Sequence, residues 1–525
     1  MENFQISYLD TIVIALYLIF IIWWGLKNGK ATDSQSYFLA GRSMSWWIVG
    51  LSLFAASISS TTLIGQAGDA YHTGLGVFNY NLTGVLVMVF FAICILPLYI
   101  KSKIYTIPEF LEKRFDKRSR YYFSAICIIG NIFLDAAGAL YAAALILKLI
   151  LPQLDLQLII IIFAVIAASY TIPGGLSSAI NAEIIQAAIL ILGSIALTAI
   201  CFSLGGQYFV DLFNNGDLSL KLIRPISDVA TPWPGLIVGM PILGLYFWAN
   251  NQTLVQRVLS SKTIEEGRRG VMFTGFLTLS TLVIIAIPGV IARYLFPGLE
   301  KPDMVYPNLV LNLMPVGLLG VMLAALLSAL TSTLSAILNS TSTLFTIDFY
   351  AQFNKHASSQ HLVKVGKVVS VAIIIIAALW APYIGRFGSL LKYYQEMLSY
   401  VSPPIVGAFL MGIFTKKTNG TGAFTGLMVG VIVAALMLIF KDQVVGNMHF
   451  LFIVPILLCF SMVVMWFVSL AGKRPQEEKL LTTTYHWSDF QNEILTLRRG
   501  NILNNYLFWA FCLVVLCFAI LAIFH

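Results

Sequence analysis

The chain has 525 residues, of which 58% are hydrophobic and only 11% charged, against roughly 25% charged in a soluble domain. Apolar windows of about 20 residues, the length that crosses a bilayer core, recur throughout and leave no room for a separate soluble domain. The net charge of +8 follows from where Lys and Arg sit along a membrane chain, so it calls for no nucleic acid or acidic partner.

Fourteen spans are predicted, at 8–26, 46–67, 74–100, 121–147, 156–173, 178–204, 233–255, 270–292, 314–346, 363–382, 389–414, 422–440, 449–471 and 503–524. The first lacks a basic leader and an Ala-x-Ala pattern, so it reads as a retained helix rather than a signal peptide. Loops 27–45, 101–120, 256–269, 348–367, 415–421 and 473–502 hold 24 of the 32 Lys and Arg residues. Basic loops face the cytoplasm, which places both termini on the outer side of the cell (inner) membrane. Loop 101–120 reads as a short amphipathic helix on the membrane surface, started by Pro108, and 473–502 as a cytoplasmic linker before an isolated final helix. All six cysteines lie in apolar spans without a CxxC, as small core residues do. The six histidines fall in loops or at the terminus, so the spans hold no histidine for a metal site or proton relay.

Two spans put hydroxyls where hydrocarbon is expected. The second carries Ala55-Ala56-Ser57-Ile58-Ser59-Ser60-Thr61-Thr62, closed by Gly65 and Gly68. The ninth carries Ser328, Ser332, Ser335, Asn339 and Ser342 on one helical face, flanked by Thr331 and Thr333. Small hydroxyl residues make tight seams between membrane helices. Together with freed carbonyls they are also the ligands an alkali cation takes. Na+ fits better than Ca2+ or Mg2+, because neither cluster contains a carboxylate. The seventh span carries Gly239, Pro241 and Gly244, then Asn250-Asn251-Gln252-Thr253. It lies five spans after the second, the separation of two inverted five-helix repeats that each open with a broken helix. The expected division is an extra helix and loop at 1–45, repeats at 46–204 and 233–414 around an outer loop 205–232, and three accessory helices at 415–525.

Asp135 lies mid-span, where a charge costs about 2.5–3.5 kcal/mol even on the gentler insertion scale. It is either an acceptor for solute hydroxyls or an ammonium group, or a partner of Asn81 or Asn251, or a protonated, neutral acid. Glu183, at the start of the sixth span, is either stabilised by the helix dipole or a second cation ligand. Lys392 and Glu396, spaced i, i+4, are expected to pair, leaving Tyr394 and Gln395 as pocket candidates.

Several long motifs follow in order: YFLAGRSMSWW at 37–47, YTIPEFLEKRF at 105–115, YTIPGGLSS at 170–178, and a run from Gly412-Ile413 through Lys417, Gly422-Ala423 and Gly426 to Gly430. On these the chain resembles the sodium:solute symporter family over about residues 8–470. The resemblance implies an all-α, LeuT-like fold of five plus five inverted helices, with one helix before and three after. It implies a Na+ site made by the carbonyls of Ala55, Ile58 and Ala329 with the hydroxyls of Ser332 and Thr333. A second Na+ in relatives would fall at Glu183 and Ser335, where the longer acid and Ala336 in place of a hydroxyl point to one Na+ per cycle. The solute pocket it implies comprises Ser57, Ser59, Thr62, Tyr80, Asn81, Asp135, Asn251 and Gln395. Thr62, Asn81 and Thr278 stand where a galactose-transporting relative has Gln, Glu and Lys. The hydroxyls of Ser57, Ser59 and Thr62 are similar to those of sialic acid carriers, but their pocket arginine falls at Asp135. At about 4 Å and an effective dielectric near 20, like charges cost roughly 4 kcal/mol, so an anion is disfavoured there. The expectation is Na+-coupled import of a neutral sugar or polyol by alternating access, with an organic acid or amine-bearing solute as the alternative. A uniporter or channel is the rival class. The spans hold no nucleophile–base pair, metal cluster or phosphate loop, so no enzyme is expected, and the partners implied are Na+, a small solute and the bilayer, with no obligate protein partner.

Overall fold

The computed structural model describes residues 7–28, 33–58, 61–150, 153–384, 390–446, 448–497 and 502–525. Among these the chain is helical, with no strand beyond two isolated bridges, Met44 to Ser261 and Arg224 to Pro232. Hydrocarbon dictates this outcome, because each backbone N–H and C=O must find its partner within the segment. Eleven helices are long and apolar enough to cross a membrane, twelve when the bent pair Trp46–Ser57 and Thr62–Thr73 counts as one span. Two further breaks account for the fourteen expected. Leu156–Asn214 runs 59 residues and kinks at Gly175 (φ 63°, ψ −154°). At 1.5 Å per residue it would be roughly 90 Å long if straight, about three bilayer cores, so it holds two of the predicted spans. Only glycine suits that kink, since a Cβ would sit 2.6 Å from the Tyr37 carbonyl oxygen. The seventh span is cut into Trp233–Val238, Met240–Leu245 and Gln252–Leu259, each too short to be counted alone.

Both broken helices have a local cause. The second span leaves helical geometry at Ile58 (φ −85°, ψ 82°), and its two halves meet at 63°. Around the break the Ser57 hydroxyl donates to the Phe54 carbonyl at 2.8 Å and Thr62 Oγ1 to the Ser57 carbonyl at 3.0 Å, local bonds that compete with the helical ladder. In the seventh span Asn251 turns to extended geometry (φ −74°, ψ 114°), and its side chain accepts the Thr253 N–H at 2.8 Å. That is an N-cap placed inside a span.

The ninth span, Leu318–Thr343, is the axis of the molecule and is buried at every residue from Met322 to Thr343. It packs on Tyr8–Asn28, Trp46–Ser57 and Leu156–Asn214. Part of its polar face is a seam: Ser328 bonds Tyr17, Ser335 bonds Tyr170 at 2.7 Å and Thr171 at 2.6 Å, and Asn131 reaches Ser340 and Thr341.

Several sequence expectations change. Loop 101–120 does form a helix, Ile107–Arg114, with Thr106 as its cap and Pro108 in its first turn. It is wedged into the protein rather than laid on its surface, because Asp348 accepts from Thr106, Arg120 and Ser124, and Arg114 donates to the carbonyls of Gly412 and Thr415. Linker 473–502 contains two helices, Glu477–Thr483 and Trp487–Leu497, and is fastened by Arg268 to Glu493 at 2.6 Å. The last helix, Tyr506–Ile523, is not isolated but packs on Ile264–Thr281. Glu396 pairs with Lys441, while the Lys392 side chain lies outside the described ones.

Close helix approach makes a direct prediction. A Cβ on Gly68 would collide with the Pro302 carbonyl, whereas one on Gly130 would meet nothing within 4 Å. Gly68→Ala should therefore cost about 1–3 kcal/mol, read as a lower melting temperature in detergent. Gly130→Ala should stay within about 0.5 kcal/mol of the parent.

Candidate functional site

The two helix breaks open on one cavity of about 120 Å3. Ser57, Ile58 and Thr62 reach it from the second span, Tyr80 and Asn81 from the third, Asp135 from the fourth, and Asn251 from the seventh. Thr333 lines it from the ninth span and Gln395 from the eleventh. Seven of the eight expected solute residues are thus brought together from five spans. The eighth, Ser59, lies outside the described residues.

The cavity wall is built from neutral hydrogen-bonding groups. Gln66 and Asn81 exchange a reciprocal pair of amide bonds at 2.8 and 3.0 Å, and Asn81 Nδ2 also donates to Thr281 Oγ1 at 2.6 Å. The hydroxyls of Thr253 and Thr278 are buried without a partner and line the same space. Phe247, Trp248 and Tyr394 supply aromatic surface. Among the described residues Asp135 is the single acid in the lining, and none of them is a Lys or Arg. Neither Asn81 nor Asn251 is its partner: Asn81 is committed to Gln66 and Thr281, Asn251 caps a helix, and the group that bonds Asp135 is the Tyr394 hydroxyl. Sequence pattern does not single out Gln66, Thr281, Phe247 or Trp248. Gln66 had a signal, since it follows Thr62 by four residues and so shares its helical face.

The residues expected as Na+ ligands come from the second and ninth spans. Trp46–Ser57 packs against the ninth span, and Ile58 and Thr333 line the cavity together. Ala55, Ile58, Ala329, Ser332 and Thr333 are all buried. Thr333 Oγ1 donates to the Ala329 carbonyl at 3.0 Å, leaving its own lone pairs open. Among the described residues Ser332 Oγ has no hydrogen-bond partner. An orphaned buried hydroxyl costs about 1–3 kcal/mol, a cost that a cation on its lone pair would relieve. Among the described residues no three His, Cys, Asp or Glu side chains cluster as metal ligands. The donors here are neutral oxygens, which suit a monovalent ion and not a divalent one.

Glu183 and Ser335 are placed differently. Glu183 is fully buried and pairs with Arg257 at 2.6 Å, while Ser52 bonds its other oxygen. The Ser335 hydroxyl is taken by Tyr170 and Thr171.

An all-helical membrane protein whose two broken helices meet at a polar central cavity is built as a secondary transporter. The chain belongs to the sodium:solute symporter family, whose sequence profile matches residues 37–430, and it is a Na+-coupled solute symporter. It is 35% identical over 506 residues to the sodium/glucose cotransporter of Vibrio parahaemolyticus, covering 90% of this chain and 92% of that one. It is 32% identical over 530 residues to the sodium/myo-inositol cotransporter 2 of Mus musculus, covering 91% of this chain and 79% of the relative. The fold is shared with a solved Na+-coupled sialic acid symporter in a substrate-bound outward-open state. That match has a TM-score of 0.79 at 22% identity, covering 90% of this chain and 99% of the other.

Ser332→Ala separates a ligand from a packing group. Losing one ligand oxygen should raise the Na+ concentration for half-maximal uptake about tenfold, equivalent to about 1.4 kcal/mol. The melting temperature without Na+ should not fall, because the hydroxyl makes no bond to lose. A drop in Na+-free stability with an unchanged Na+ midpoint would assign Ser332 to packing alone.

Proposed function

We propose that the protein is a secondary active symporter importing a small neutral polyhydroxy solute, a sugar or a polyol, together with Na+ by alternating access. The observation that carries this reading is the cavity wall of amides, hydroxyls and aromatic faces, with no basic side chain among the described residues. Hydroxyls of a polyol both donate and accept, as do Asn251, Gln395, Thr62 and Ser57. The aromatic faces of Phe247 and Trp248 suit the C–H face of a sugar ring. A solute anion would find Asp135 and, among the described residues, no cation in the lining to offset it. The relatives that transport glucose and myo-inositol point to the same chemical class.

In the proposed cycle Na+ is held by the carbonyls of Ala55, Ile58 and Ala329 and the hydroxyls of Ser332 and Thr333. It thereby ties the first broken helix to the ninth span. The solute then occupies the space among Ser57, Ser59, Thr62, Tyr80, Asn81, Asp135, Asn251 and Gln395. Residues 46–204 and 233–414 act as the two repeats whose relative rocking exposes the cavity to one side and then the other. Because the Na+ ligands sit on two elements, their separation weakens Na+ binding. Such a difference in affinity between states is what coupling requires. The bias of Lys and Arg into alternate loops favours a chain in the cell inner membrane with both termini outside. Its work is transport and not catalysis. An amine-bearing solute is the second reading, favoured by Asp135, which forms no ion pair among the described residues.

Purified protein in proteoliposomes with an inward Na+ gradient should accumulate myo-inositol or glucose above the external concentration, and a Na+ ionophore should abolish this. Equilibration without accumulation would mean a uniporter and sink the proposal. Asp135→Asn should leave uptake of a neutral polyol within about tenfold, the size of one modest hydrogen-bond change. Abolished uptake of a cationic amine, with polyols ignored by the parent, would favour the second reading.

A further inference from the structure

Threonines inside the helices of this chain settle their hydroxyls locally. Those of Thr198, Thr274, Thr333 and Thr343 each donate to the carbonyl four residues back, at 2.6 to 3.0 Å, a bond that helical geometry offers a β-branched hydroxyl. Thr253 departs from this pattern. It is 6% exposed, and its hydroxyl has no partner among the described residues. The cause is its place in the chain. Thr253 is the second residue of Gln252–Leu259, so the carbonyl four back, that of Ala249, lies beyond the turn to extended backbone at Asn251. That carbonyl accepts the Tyr99 hydroxyl at 3.1 Å instead. The Thr278 hydroxyl is unpartnered too, but Thr278 stands within the helix Ile264–Thr281. There a rotation about its Cα–Cβ bond would bring the hydroxyl to the Thr274 carbonyl. Thr253 has no such recourse.

The backbone around that hydroxyl is fixed. The Thr253 N–H donates to Asn251 Oδ1 at 2.8 Å, and its carbonyl accepts from Arg257, which Glu183 holds at 2.6 Å. The neighbouring Gln252 accepts the Ile107 N–H at 2.7 Å. The polar group of Thr253 left uncommitted is its hydroxyl, and Thr253 lines the central cavity. We propose that Thr253 is a specificity-determining residue of the transporter, its Oγ1 hydrogen-bonding one hydroxyl of the solute directly. This deepens the function proposed above, since it rests on a polyhydroxy solute filling the cavity.

Three features suit Thr253 to this role. A threonine hydroxyl carries one proton and two lone pairs, so it matches a solute hydroxyl in either direction. A side chain on a backbone already held by its neighbours loses little freedom when the solute binds. The bond also discriminates, because a buried hydroxyl left unpaired is costly. A solute with a hydroxyl at the right position satisfies Oγ1, and a solute lacking it seals the same group away from water unpaired. Sites built in this way reject an analogue that lacks one hydroxyl far more strongly than apolar pockets reject one that lacks a methylene.

Titration calorimetry of the purified full-length protein in saturating Na+, with glucose and myo-inositol as probes, tests this. Thr253→Val keeps the shape and removes the hydroxyl, and should weaken binding of the preferred probe about tenfold. Thr253→Ser keeps the hydroxyl and should stay within about threefold of the parent. Monodeoxy glucoses and monodeoxy inositols then identify the bond. One of them should bind the parent about tenfold more weakly than its complete counterpart does, while Thr253→Val should bind the two alike, a pattern that lost packing does not produce. The melting temperature of Thr253→Val without solute should not fall, because the hydroxyl has no bond there to lose. Should Thr253→Val fail to fold, Thr253→Ala takes its place in every comparison. Binding by the hydroxyl-free variant equal to the parent's overturns the assignment and leaves the hydroxyl to a trapped water. Weakened binding that Thr253→Ser does not restore, or a lower melting temperature without solute, assigns Thr253 to packing and overturns it as well. A parent that binds neither probe overturns the solute class and this assignment with it, whereas a parent that binds them and discriminates as its hydroxyl-free variant does overturns this assignment alone.

Discussion

A helix that stops in the middle of a bilayer strands backbone carbonyls and N–H groups where no water reaches them. This chain does so at two points, Ile58 and Asn251. The rest of the architecture follows from the need to shelter those points. They are sheltered by placing both against the ninth span, which is buried along almost its whole length, and by giving them one shared polar cavity. A central cavity with freed carbonyls at its edge is then a consequence of satisfying the backbone, and a symporter makes use of it.

The ninth span performs two tasks with one residue type. Ser328 and Ser335 give their hydroxyls to tyrosines on neighbouring helices, closing seams in which small side chains allow near approach. Ser332, between them in sequence, has no such neighbour, and Thr333 faces the cavity. Hydroxyls three or four residues apart thus divide between holding helices together and offering lone pairs. A seam must remain closed through the cycle, while the oxygens of the proposed Na+ site would have to gain and lose an ion, so the two roles need distinct positions on the helix.

Much of this was legible in the sequence because hydrocarbon leaves few options. Apolar runs of fixed length announce spans, and a Ser/Thr run or an Asn-Asn-Gln-Thr run inside one announces a break. The division of the ninth span into seam and site was not legible, because Ser328, Ser332 and Ser335 are chemically alike and differ only in what packs opposite them. Gln66 went unremarked although it shares a helical face with Thr62, since a lone glutamine beside a longer hydroxyl run carries little pattern. Charge partners were the hardest to read. Glu396 pairs with Lys441, 45 residues away, a partner that local spacing does not point to. Arg257, which neutralises Glu183 across 74 residues of sequence, leaves no periodic trace, because an ion pair between spans depends on tertiary packing alone.

The buried acids, taken together, narrow what Asp135 is for. Asp10 accepts the N–H groups of Gly317 and Gly320 at 2.8 and 2.7 Å, at the positive end of the ninth helix. Glu183 has Arg257, and Asp348 has Arg120 at 2.6 Å with Thr106 and Ser124 besides. Each is compensated by the protein itself, as the cost of a charge away from water requires. Asp135 forms no ion pair among the described residues and has the Tyr394 hydroxyl as its bonding partner, at the edge of the space the solute is proposed to fill. A chain that supplies guanidinium or helix-end amides to three acids and only a phenol to the fourth leaves hydrogen-bonding capacity at the fourth. That capacity is what the proposed solute, a polyol hydroxyl or an ammonium, would use.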